Sequence, residues 1–165
     1  ERNLHFHIRR RPGDAFAERV FAGLKGVETV HVEGPRGGFV LNEESHRPLV
    51  FIAGESGFAP IKSLIEHAMA LDAAESLHLV WIAAGAGGHY LDNLCRSWGD
   101  ALDNFRYTAV AEGGANDLVA GMAEDHADLA AFDIYLAGPE AFVDGAGKAL
   151  AQQGFPPAQL VTAVT

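Results

Sequence analysis

The stretch Ala53-Gly54-Glu55-Ser56-Gly57-Phe58-Ala59-Pro60 joins an apolar run at 49–53 to a segment of helical period. Glycines let backbone amides close on a ligand, Ser56 carries a hydroxyl donor, and a helix beginning near Phe58 turns its positive end toward the turn. Together these are parts that hold a phosphate or pyrophosphate. A Gly-x-x-Gly turn by itself serves equally to pack a helix on a strand, so its surroundings decide its meaning. Lys62-Ser63 follows, yet Ile61 stands where a P-loop requires a glycine before its lysine, and no Gly-x-Ser-x-Gly elbow occurs. Kinase-type and hydrolase chemistry therefore fall away.

The elements that must position this turn are short, nearly continuous apolar runs at 49–53, 77–82, 107–110, 134–137 and 160–164. Runs of that kind are strands buried on both faces. Helical patterns lie between them at about 58–70, 89–101, 117–130 and 140–153. The alternation predicts an α/β fold, a doubly wound parallel five-stranded sheet with helices on both sides. Ligands of such sheets bind beyond the carboxyl ends of the strands, where the strand order reverses.

Residues 1–46 follow another rhythm. Residues 4–8 alternate as a strand does, Arg11-Pro12-Gly13-Asp14 turns into a helix with Phe16, Val20, Phe21 and Leu24 on one face, and 29–33 alternate again. Gly34-Pro35-Arg36-Gly37-Gly38 then turns into Phe39-Val40-Leu41. A piece of this size cannot close a barrel or bury both faces of a sheet, so it reads as a fragment leaning on something else. The polar stretch 42–47 and Pro48 set the boundary, giving 1–46 and 47–165 as the expected domains.

Composition narrows the partners. The 165 residues are 48% hydrophobic, with 22 acidic residues against 12 Lys and Arg and a formal charge of −10. That field repels polyanions, so nucleic acid is not an expected partner. No apolar run approaches the roughly 20 residues that cross a bilayer, and the first residues lack the parts of a signal peptide; no membrane partner and a cytoplasmic location are expected. The lone Cys95, on the helical pattern Tyr90, Leu91, Leu94, Cys95, Trp98, reads as a buried, inert thiol, since an iron–sulfur cluster needs about four thiolates. Eight histidines invite a metal reading, but His5 and His7 share a strand face without a third ligand at a telling spacing, and no metal site is expected. The acidic stretch 123–128 reads as a solvated face, and Arg9-Arg10-Arg11 as either a strand end or a contact for phosphates or an acidic partner.

The glycine turn resembles the Gly-Gly-Thr-Gly-x-Ala-Pro turn of the ferredoxin–NADP reductase superfamily, in its bacterial branch of oxygenase reductases and deoxyhexose-pathway reductases. Residues 7–13 are similar to the fifth barrel strand and following turn of that family's flavin domain, and Val32-Glu33-Gly34-Pro35 through Phe39 to its sixth strand. Tyr135-Leu136-Ala137-Gly138-Pro139-Glu140 is similar to its Cys-Gly-Pro loop. The likeness covers nearly the whole chain and implies that residues 1–46 are a fragment of an antiparallel β-barrel, the last part of the family's flavin domain. It implies a module that takes hydride from NADH and passes it to FAD, with electrons going on to an iron–sulfur or other acceptor. It places the nicotinamide nucleotide at Gly54, Glu55, Ser56, Gly57, Pro60 and Ala84, with Ala137, Gly138, Pro139, Glu140 and Phe142 on the nicotinamide side. Gly13, Phe16 and Ala17 fall at the flavin phosphate. The family's Arg-x-Tyr-Ser flavin segment precedes the strand with which this chain opens, so FAD belongs to the parent protein and tight binding by these residues is not expected.

Several positions depart from the family. Glu55 stands at its second glycine and brings a carboxylate near a pyrophosphate. Ala84 stands at the arginine that follows the second strand, which favours NAD over NADP. Ala137 replaces the cysteine, Phe142 the methionine and Ala17 a hydroxyl residue, and 161–165 lack the aromatic that covers the flavin. Two readings follow, a working reductase module and a non-catalytic member of the same fold that serves in binding or assembly.

Overall fold

The computed structural model describes residues 4–10, 12–26, 28–34, 36–85, 87–126 and 128–165. The readings that involve Arg11, Pro35, Ala86 and Ala127 fall, at those positions, outside the described residues. The chain forms two compact units, Glu1–Gly38 and Phe39–Thr165.

The second unit is built from β1 (Leu49–Gly54), α2 (Phe58–Leu71), β2 (Leu77–Ile82), α3 (Asp92–Ala101), β3 (Phe105–Val110), α4 (Ala115–Asp125), β4 (Asp133–Gly138), α5 (Glu140–Gln152) and β5 (Leu160–Val164). The strands pair in parallel in the order β3-β2-β1-β4-β5. Every residue of β1 and of β4 is buried, as the unbroken apolar runs require. Alternate side chains feed two cores. Phe51, Leu79 and Tyr135 join Ile61 and Ile65 of α2 on one face, while Val50, Ile52, Val80 and Ile134 join Leu118 of α4 and Val143 of α5 on the other. Each such aliphatic or aromatic residue contributes about 1.5–3 kcal/mol relative to exposure. Phe39 and Leu41 belong to the first core, and Tyr135 accepts a 2.8 Å hydrogen bond from the Asn42 amide.

Strand and helix positions follow the expected pattern closely, with one early stop. The helical period runs on past 126, yet α4 ends at Asp125 because His126 leaves helical geometry and bonds through its ring to His78. Asp128 then accepts from the Ala130 amide and starts a short 3₁₀ turn, Leu129–Ala131. Cys95 is fully buried on α3, and burial, with the nearby Asp92 charge, pushes its thiol up to about 12.

The first unit holds α1 (Ala15–Phe21), capped by the Asp14 carboxylate, which accepts from the Ala17 amide at 2.9 Å. The expected strands 4–8, 29–33 and 39–41 carry no ladder hydrogen bonds among the described residues. An extended segment becomes a strand only beside a partner that completes its ladder. α1 ends before Leu24, and its expected apolar face is largely open, with Phe16 and Phe21 each about half exposed.

Candidate functional site

β1 delivers Gly54 to the carboxyl edge of the sheet, and one turn of 3₁₀ helix, Glu55–Gly57, leads into α2. No side chain caps the α2 amino terminus, and Pro60 lies in its first turn. Gly57 is required by space: a Cβ there would lie 2.1 Å from the Ala137 carbonyl oxygen and 2.6 Å from the Gly138 nitrogen. The β1 turn is thus in backbone contact with the end of β4. Gly54 and Gly138 are matched in the same way, since a Cβ on either would strike the Phe142 ring, at 2.4 and 2.9 Å. Phe142, in the first turn of α5, is half-buried across the two glycines.

This meeting point lies where β1 has β2 on one side and β4 on the other, so the connections leave in opposite directions and the sheet reverses its order. A crevice at that switch point is where doubly wound sheets bind ligands. Gly54, Glu55, Ser56, Gly57 and Pro60 come from one turn, and Ala137, Gly138, Pro139, Glu140 and Phe142 from the other. The fold brings the two groups together. One residue beyond them also meets them here: Thr165 donates its amide to the Gly138 carbonyl at 3.0 Å, and its hydroxyl shares a 3.3 Å hydrogen bond with that of Ser56.

Glu55 does not turn its carboxylate back over the glycines. Its Oε1 accepts from the Ala84 amide at 3.1 Å, across the gap to the end of β2. Its carbonyl accepts from the Trp81 indole at 3.2 Å. Trp81 stacks on Phe58 with centroids 3.9 Å apart and meets His89 and Tyr90 edge-on, while His89 Nε2 bonds the Trp81 carbonyl at 2.8 Å. An aromatic cluster therefore underlies the turn. Sequence reasoning passed over Trp81, which reads simply as one more residue in an apolar strand.

With this geometry in view, likeness to known proteins decides the family. Residues 51–148 match the model of the oxidoreductase NAD-binding domain. The chain belongs to that family. It is 30% identical over 151 residues to the CDP-6-deoxy-L-threo-D-glycero-4-hexulose-3-dehydrase reductase of Yersinia pestis, covering 87% of this chain and 45% of the relative. It is 33% identical over 125 residues to reductase component 1 of the terephthalate 1,2-dioxygenase of Comamonas sp., covering 74% and 37%. The chain thus spans less than half the length of either. Among solved structures, an Amycolatopsis cytochrome P450 reductase superposes with a TM-score of 0.79 at 24% identity, over 94% of this chain and 50% of that one. The Neisseria gonorrhoeae ferredoxin NADP+ reductase with bound FAD and NADP gives 0.73 at 13% identity, over 95% and 71%. These structural likenesses carry the fold of the parallel five-stranded sheet and its helices.

Elsewhere in this NAD-binding domain protein, Gly13, Phe16 and Ala17 lie in the first unit. The Gly13 amide donates to Glu18 Oε1 at 3.3 Å and the Ala17 amide to Asp14, so both have carboxylate acceptors within the chain. Lys62 pairs with Glu66 along α2 at 2.6 Å. A cleft of about 400 Å³ opens beside β3 and α4, lined among others by Thr108, Val110, Glu112, Asp117 and Met122, and no residue of the two turns borders it. Nearby, His78 is buried and shares 2.9 Å hydrogen bonds with His126 and Thr108. Among the described residues no three His, Cys, Asp or Glu side chains are grouped to hold a metal, and no helix is long and apolar enough to cross a membrane.

Proposed function

We propose that this chain is the nicotinamide-nucleotide module of an FAD-dependent reductase, with 47–165 as the nucleotide domain and 1–46 as the tail of the flavin barrel. The observation that carries the reading is the backbone contact of the two turns at the switch point, where Gly57 and Gly138 leave no room for a Cβ and the α2 amino terminus stands uncapped. Such a cradle suits the pyrophosphate of a dinucleotide. The turn around Gly54, Ser56 and Gly57 would hold the pyrophosphate, and Ala137, Gly138, Pro139 and Phe142 would shape the nicotinamide side. Bound NADH supplies a hydride for FAD, from which electrons pass to an iron–sulfur or other acceptor; the protein's part is orientation and exclusion of water.

NADH is preferred over NADPH in this reading, because no Lys or Arg occurs from 63 to 95, the stretch that includes the end of β2. FAD is held loosely by these residues, a view supported by the Glu18 and Asp14 carboxylates that already accept from the Gly13 and Ala17 amides. A second reading keeps the fold and drops the chemistry, and Ala137 favours it, since a buried methyl group replaces the thiol that the family resemblance puts at this position.

The test is ligand-linked stability. NADH or ADP-ribose should raise the Tm of the folded chain, by the equivalent of about 2.7 kcal/mol when present at 100 times its Kd. No shift at millimolar NADH would overturn the reading. Joining the chain to its flavin segments and measuring hydride transfer from NADH then separates the reductase from the non-catalytic member.

A further inference from the structure

Ser56 and Thr165 stand 109 positions apart in sequence, yet their hydroxyls share a hydrogen bond of 3.3 Å. Both are held by the same end of β4, which lies between β1 and β5. From the β1 side, Gly57, next to Ser56, is wedged against the Ala137 carbonyl and the Gly138 nitrogen, where a Cβ finds no room. From the other side, β5 pairs with β4 so that Val164 lies beside Gly138, and the Thr165 amide donates to the Gly138 carbonyl at 3.0 Å. The Thr165 backbone is therefore placed without help from its side chain. A β-branched side chain on a fixed backbone has few χ1 positions to lose, so a hydroxyl carried in this way is presented at little entropic cost.

A serine hydroxyl has a single proton to donate and lone pairs with which to accept. At neutral pH the pyrophosphate oxygens of a dinucleotide carry no proton, so Ser56 can serve such a ligand only by donating. Its bond with Thr165 survives that step in one sense alone, with Thr165 donating and Ser56 Oγ accepting. A hydroxyl that accepts in this way becomes a better donor, because successive hydrogen bonds polarise one another. We infer that Thr165 is a positioning residue for nucleotide binding: its hydroxyl donates to Ser56 Oγ and commits the Ser56 proton to a pyrophosphate oxygen. Thr165 thus acts through Ser56 and not on the ligand. This rests on the nucleotide-binding reading above and adds to it a residue that neither turn contains.

The experiment measures NADH and ADP-ribose binding, by calorimetry, to the whole chain as wild type, Thr165→Val, Thr165→Ser, Ser56→Ala and the Ser56→Ala, Thr165→Val double variant. Valine keeps the β-branch and the backbone bond and removes only the hydroxyl; circular dichroism checks that each variant folds. Thr165→Val should weaken both ligands alike, by about three- to tenfold, because both carry the pyrophosphate. Thr165→Ser brings the hydroxyl back and should bind within about twofold of wild type. In the Ser56→Ala background the valine substitution should change nothing further, since the hydroxyl of Thr165 then has no partner to orient. Unchanged affinity in folded Thr165→Val overturns the role of Thr165. So does a loss that serine fails to restore, that persists in the Ser56→Ala background, or that falls on NADH alone. Failure of wild type to bind either ligand overturns the nucleotide-binding reading instead, and this inference with it.

Discussion

The two units differ in how they meet their own hydrophobic pattern. In the sheet unit every residue of β1 and β4 is buried, and the helices that cover them are the next elements in the sequence. In the first unit Ala17 is the one buried residue among those described, while Leu4 is 76% and Phe6 60% exposed. A parallel strand carries its cover with it through the crossover helix, whereas a barrel strand depends on strands far along the chain. The pattern marks which face requires cover. It does not carry the cover itself.

The sharpest way to break that contrast is to add one methyl group to a glycine in each unit. Gly57→Ala pushes a Cβ into the Ala137 and Gly138 backbone, which cannot swing aside as a side chain would. It should cost about 3 kcal/mol and lower the Tm by roughly 6–12 °C, with loss of nucleotide binding. Gly13 has φ +81° and open space around its Cβ position, so Gly13→Ala meets only conformational strain of about 1 kcal/mol. Chemical denaturation of both variants measures the difference. Equal effects would show that close packing at the switch point is not what distinguishes the units.

Acid should find the sheet unit through His78. Burial, then the charges of Arg106 and His126, push it from 6.5 down to about 4, against a pull upward from Asp125. The folded state holds the neutral ring while the unfolded chain protonates near 6.5, so the contribution is complete above 6.5 and is lost as pH falls toward 4. Its size is about 3 kcal/mol. His126 is shifted the same way, also mainly by burial, and adds to the slope. Urea melts between pH 7.5 and 4 should show the decline, and His78→Gln should flatten it. A slope unchanged in that variant would assign the acid sensitivity elsewhere.

How much of this was legible depended on the range of the interactions. All five strands and the glycine turn could be read because apolar runs and turn residues act locally, and β2 and β5 fall where expected, at 77–82 and 160–164. The end of α4 could not be read, because His126 is drawn off by a ring on β2, 48 positions away in sequence. The direction of the Glu55 carboxylate was equally hidden. Sequence suggested a charge facing the pyrophosphate, whereas the Ala84 amide and the Trp81 indole turn it toward the neighbouring strand. Thr165 joins the site because β5 pairs with β4 in a register that sets Val164 beside Gly138, a relation no local pattern encodes.

The smallest effects should lie in the first unit, and they sharpen the contrast by their size. Asp14→Ala removes the carboxylate that caps α1 and should cost about 1 kcal/mol of local helix stability, read as faster amide exchange at Ala17. Phe16→Ser removes a ring that is half exposed and should change global stability by less than about 0.5 kcal/mol in this chain. The same substitution in a protein with the rest of the flavin barrel should cost more, by the apolar area that the barrel would cover. A ring of this size buries roughly 150–250 Å², at about 25 cal/mol per Å², so half of it amounts to about 2–3 kcal/mol. Guanidinium melts of the short and the long protein, each with and without Phe16→Ser, measure the two costs. If they are equal, the exposed face of α1 is an ordinary surface and the contrast between the units is one of composition, with no missing cover behind it.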